Sequence, residues 1–108
     1  MATHHASAGE VVDLDRWTTD LTVDQTKVIV KTEKFELARL VLPKNKQIPS
    51  HKVEGPIIVH CTRGEIEFLI DGIPLLLKSN QLLHLKPGEP HSLKAKADSV
   101  ILLTILFN

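Results

Sequence analysis

The sequence has no tyrosine, one cysteine, one tryptophan and three phenylalanines in 108 residues. A single cysteine excludes an internal disulfide, so stability has to come from packing. Without tyrosine, an unambiguous pocket carboxylate or a nucleophile beside a base, nothing supplies an acid/base pair, which counts against metal-free catalysis. Net charge is lacking as well, since 13 Lys plus Arg balance 13 Asp plus Glu. A nucleic-acid binder would carry a basic face, so no nucleic-acid partner is expected. No apolar run approaches the roughly 18–20 residues that span a bilayer. The opening stretch MATHHASAGE has no basic start followed by an apolar segment, so no secretory signal is read there. A cytoplasmic protein with no membrane partner is the expectation. Against these shortages stand six histidines.

The length suits one domain. Residues 1–20 read as an N-terminal arm, disordered over its small and polar first ten positions, and residues 21–108 read as the folded domain. Over residues 10–24, Glu10, Asp13, Asp15, Asp20 and Asp24 outnumber Arg16. Trp17 lies among them and is expected to tuck the arm onto the core rather than to serve as a ligand platform.

From Val28 onward, short runs rich in Val, Ile, Leu and Thr alternate with turn residues. The runs are VIVKT (28–32), FELARLVL (35–42), IIVHCTR (57–63), EIEFLI (65–70), PLLLK (74–78), QLLHLK (81–86), HSLKAKA (91–97) and SVILLTILF (99–107). Many short strands at this spacing predict an all-β sandwich or barrel. Asp71-Gly72 is a hairpin signal, because a tight primed turn needs positive φ. Alternation puts Ile66, Phe68 and Ile70 on one face, and His91 on the same face as Leu93, Ala95 and Ala97. The last run is apolar on both faces, which predicts cover from the core on one side and from a second layer or a partner subunit on the other. A homodimer is the expected form.

Four histidines fall in the β region. His51 and His60 straddle the corner Val53-Glu54-Gly55-Pro56, and His84 and His91 straddle Lys86-Pro87-Gly88-Glu89-Pro90. If the two corners meet at one end of a barrel, four imidazoles converge, and imidazole is a common ligand of divalent transition metals. Facing is the complication. His60 is out of phase with Ile57, Val59 and Cys61, and His84 with Leu83 and Leu85, yet Ile58 and Leu82 make both strands apolar on both faces. The pair therefore completes a four-histidine metal site or forms a metal-free cross-strand pair on the outside. Cys61, on the face opposite His60, reads as a small buried hydrophobe. Arg39 is in phase with Phe35, Leu37 and Val41. It reads as a ligand-binding residue reaching into the barrel to hold a carboxylate, or as a side chain lying along the surface.

Two segments carry a family resemblance. Pro49-Ser50-His51 is followed, 13 residues after the histidine, by Gly64 in TRGEIEF, and residues 80–93 read NQLLHLKPGEPHSL. Over about residues 35–106 the chain resembles a small single-domain cupin, an antiparallel jelly-roll β-barrel. The resemblance carries His51 and His91 over as ligands. It puts Val53 where the family has its second histidine, and Ile57 or Ile58 where it has a glutamate. Asn80-Gln81 stands in place of the usual Gly-Asp. It implies that the strands of His51 and His91 are neighbours in one sheet and those of His60 and His84 in the other. The expected metal site is then His51, His60, His84 and His91, around Fe, Mn, Ni, Zn or Cu. Such an ion would polarise an anionic or chelating small molecule, or activate O₂ if it is iron, manganese or copper. The other reading is a non-catalytic binding or sensor barrel without bound metal.

Overall fold

In the computed structural model, which describes residues 5–14 and 26–107, nine strands build two antiparallel sheets. They are β1 (Thr26–Lys31), β2 (Phe35–Leu42), β3 (Gln47–His51), β4 (Ile57–Arg63), β5 (Glu65–Ile70), β6 (Ile73–Lys78), β7 (Gln81–Leu85), β8 (His91–Ala95) and β9 (Ser99–Leu106). The five-stranded sheet runs β1-β2-β9-β4-β7 and the four-stranded sheet runs β3-β8-β5-β6. The run spacing predicts a sandwich or barrel, and the jelly-roll arrangement is the one that the family resemblance implies. The turn at Asp71-Gly72 has φ of 52° and 76°, both positive, as a primed hairpin turn requires. Trp17, His4 and the acidic residues Asp15, Asp20 and Asp24 lie outside the described residues. In the described part of the arm, the Ala6 N–H donates to the Ile29 carbonyl of β1 at 2.6 Å. Among the described residues, no helix is long and apolar enough to cross a membrane.

The core lies between the sheets. Ile57, Val59 and Cys61 of β4 and Ile101 of β9 meet Ile66 and Phe68 of β5 and Leu93 and Ala95 of β8. Alternation then fixes the outer face of the five-stranded sheet. In the register, Arg39 pairs with Leu102, and Leu102 with His60. Val100 and Leu102 are out of phase with the core residue Ile101, yet they are only 0% and 9% exposed. The doubly apolar β9 is thus covered on its outer side near its start by this chain itself.

The strand that periodicity missed is β3. It has five residues, contains Pro49, and is mostly exposed. Proline removes a ladder donor and is tolerated at a sheet edge, and β3 is the edge of its sheet. The β3–β8 register also slips: Ile48 pairs with Leu93, but His51 pairs with His91. Two residues on β3, Pro49 and Ser50, stand against one on β8, Ser92, which is a β-bulge. A regular strand would put Ile48 and His51 on opposite faces. The bulge through Pro49-Ser50 turns both to the inside.

Cys61 sits in the core as expected, fully buried and unpaired. Burial pushes its thiol above the ordinary range, against a smaller opposing effect of a backbone hydrogen bond with Arg63. The folded protein should therefore leave Cys61 unalkylated by iodoacetamide at pH 8, with complete labelling once urea unfolds it. As pH rises through the ordinary thiol range, the unfolded chain ionises first, so this group lowers stability at alkaline pH.

Candidate functional site

The two corners do meet. The Gly88 N–H, in the corner before β8, donates to the Val53 carbonyl, in the corner before β4, at 2.8 Å. Beside this junction a cavity of about 80 Å³ opens between the sheets. Its wall is apolar, from Leu40, Ile48, Val53, Ile57, Phe68 and their neighbours, except at His51 and His91.

These two histidines are built alike. Each ring Nδ1 lies 3.0 Å from the carbonyl oxygen two residues back, Pro49 for His51 and Glu89 for His91. A carbonyl only accepts, so Nδ1 carries the proton and donates. In the neutral ring that leaves the Nε2 lone pair available. The rings are cross-strand partners, 4.3 Å apart between centroids and inclined at 59°. His51 is exposed at the rim, whereas His91 is 5% exposed, with Phe68 beneath it at 6.3 Å between centroids. The pair is a polar head over an apolar hole.

His60 and His84 are not part of this head. Their strands are neighbours in the other sheet, as the resemblance implies. However, Ile57, Val59 and Cys61 take the inward positions of β4, and Leu85 that of β7. His60 and His84 therefore face the outside of the five-stranded sheet, His60 half-buried and His84 exposed. The expected convergence of four imidazoles does not form, because strand phase sets two of them on the far side of the sheet. Arg39 also differs from its inward reading. Leu40 and Leu42 turn to the core, so Arg39 faces outward, where it is 2% exposed.

The donor set bears directly on a resident metal. Catalytic metal sites usually use three protein ligands, and the cavity offers two imidazoles. Val53, where the resemblance puts the second histidine, and Ile57, one of its two places for the glutamate, both line this cavity with hydrocarbon, while Ile58, the other, is exposed. Among the described residues, no group of three or more His, Cys, Asp and Glu side chains comes together. The residues present do not fit a metal held by the protein alone.

No protein-family model and no curated protein matches the sequence. Solved structures do match. A conserved protein of unknown function from Streptococcus pyogenes aligns with a TM-score of 0.79 at 22% identity, covering 100% of this chain and 96% of the other. An RmlC-like cupin from Desulfovibrio desulfuricans aligns at 0.71 and 23% identity, covering 98% and 96%. A predicted oxalate decarboxylase from Thermotoga maritima aligns at 0.70 and 24% identity, covering 77% and 79%.

Proposed function

We propose that this chain, which has the cupin fold, is a binding barrel for a small, mostly apolar weak acid. The hydrocarbon part fills the cavity and the acid group meets the His51–His91 head. One observation carries the reading: among the described residues, the two polar side chains on the cavity wall are imidazoles whose Nδ1–H groups are already committed to carbonyls. What remains is a pair of Nε2 acceptors. A carboxylic acid or phenol donates its O–H to such a nitrogen, and on full proton transfer the product is a carboxylate or phenolate beside an imidazolium. The hydrogen bond forms in a site largely walled by hydrocarbon, and it is charge-assisted once the proton has transferred. The volume limits the ligand to a few heavy atoms, since an apolar cavity that takes benzene measures roughly 150 Å³.

A second reading has its own support. An Nδ1–H donated to a backbone carbonyl is also the usual outer support of a metal-ligating histidine. Two Nε2 lone pairs would then fill two positions of a divalent transition ion, and a chelating ligand would supply the others. Bound there, such an ion would polarise that ligand.

Titration of metal-stripped protein with a series of straight-chain C2–C6 carboxylic acids separates the two. Amide shifts in the protein NMR spectrum should map binding to Ile57, Phe68 and His91. His91→Ala should weaken it at least tenfold, and His51→Ala less, because His51 is at the solvated rim. Binding that appears only after zinc or cobalt is restored favours the second reading. No binding with or without metal sinks both.

A further inference from the structure

The outer face of the five-stranded sheet is closed on one side and open on the other. Toward β2 and β9 it is buried: Val41 is 1% exposed and Leu102 is 9%. Toward the β7 edge exposure climbs, to 37% at Ile58 and 61% at Leu82. The two histidines that the cavity does not use lie in this open half. The register sets out two adjacent rows across β9, β4 and β7: Leu102, His60 and Leu82, then Thr104, Ile58 and His84. His60 and His84 are therefore diagonal neighbours on one face. Such positions are about 7–8 Å apart at Cα and closer at Cβ, within reach of long and aromatic side chains. Arg39 of β2 continues the first row beyond Leu102, two strands away from His60.

We propose that His60 and His84 hold a divalent transition metal ion, with zinc as the reference case, and that the ion joins two copies of this chain across the open half of this face. The chemistry of the site calls for the second copy. Two neutral imidazoles fill half of a tetrahedral zinc site. A two-fold axis through the ion brings the same two imidazoles from a partner and completes the set, which is the self-complementary geometry of an isologous dimer. The same contact covers Ile58 and Leu82 of both copies, the apolar residues that this chain leaves open beside the histidines. The site is separate from the cavity, because Ile57 and Val59 of β4 line the cavity while His60 points the other way.

Sedimentation velocity of the full untagged chain at micromolar concentration tests the proposal, with zinc chloride alone as the probe. Zinc should double the sedimenting mass at one ion per two chains, and EDTA should reverse it. Cobalt in place of zinc should give the visible absorption of a tetrahedral site. His60→Ala and His84→Ala should each abolish the zinc-dependent dimer. His84 is exposed, so its variant keeps the test valid even if His60→Ala folds poorly. His51→Ala/His91→Ala and His4→Ala/His5→Ala should dimerise with zinc as the parent does, which sets this site apart from the cavity head and the arm. The proposal is overturned if zinc leaves the mass unchanged or if the dimer persists in folded His84→Ala. A dimer indifferent to EDTA, or one lost in the His51/His91 variant, overturns it as well.

Discussion

Gly64→Ala should lower the stability of the fold by roughly 3–5 kcal/mol, from positive-φ strain of about 1–2 kcal/mol plus the loss of hydrogen bonds and packing beside it. Gly64 links β4 to β5 with a φ of 96°. A Cβ there would collide with the Ser99 side chain and with the Asp98 carbonyl. Neither can retreat without cost. Ser99 is fully buried, and its hydroxyl accepts from the Glu65 N–H at 3.0 Å and donates to the Ala97 carbonyl at 2.7 Å. Asp98 belongs to the turn into β9, where its carboxylate accepts from the Lys44 N–H at 2.9 Å. Gly64 itself is held by the Ser79 hydroxyl, which accepts from its N–H at 3.0 Å. Gly72→Ala is the matched control. Its φ is 76°, but an added Cβ would meet nothing within 4 Å. It should cost only about 1 kcal/mol, the conformational part alone. Urea unfolding of both variants reads the difference directly. With a slope of about 1.5 kcal/mol/M, Gly64→Ala should lower the midpoint by about 2–3 M. Equal losses in the two variants would show that the close approach to Ser99 carries no weight.

Gly64 also marks a boundary of what the sequence conveys. A glycine between two apolar runs is legible as a turn, but the residue 35 positions later that forbids a side chain there is not. Strand periodicity had the same reach. It located eight of the nine strands and the face of Ile66, Phe68 and His91, because each strand carries its own alternation. It missed β3, where proline and exposure erase the pattern. The bulge in β3 is equally silent, although it alone turns His51 inward beside Ile48. The histidines divide along this line. That the strands of His60 and His84 pair was legible from the family resemblance. Their phase against Ile57, Val59 and Leu85 pointed outward, as the fold has it. The signal was blurred because the outer face also carries Ile58, Leu82, Val100 and Leu102. Part of that face is buried within the chain, so its residues look like core. Arg39 misled for the same reason: its apolar phase-mates Leu37 and Val41 are on the covered outer face, not in the barrel.

Phe68→Ala should cost about 3–5 kcal/mol, the usual range for emptying a buried aromatic site. Phe68 is 1% exposed and is the largest of the fully buried side chains. It stands on β5 between Ile66 and Ile70 and packs in the core with Ile57, Val59 and Leu93. All three of those neighbours also line the cavity, as does Phe68. Its removal therefore does two things at once. Apolar contacts are lost on the core side, and the cavity under the histidine head deepens. Domains of this size are stable by roughly 5–15 kcal/mol, so the alanine variant stays close to its folding threshold and its binding would be hard to interpret. Phe68→Leu separates the effects. It keeps a branched hydrocarbon in place, should cost about 1–2 kcal/mol, and still enlarges the space below His91. If the cavity holds the hydrocarbon part of an acid, this variant should bind the longer members of the C2–C6 series more tightly than the parent does. The shorter members should lose affinity, because they would leave a void. The His51–His91 head is unchanged, so His91→Ala should weaken every member of the series in either background. An unaltered chain-length preference in Phe68→Leu would place the hydrocarbon outside this cavity and leave the two imidazoles as a surface contact only.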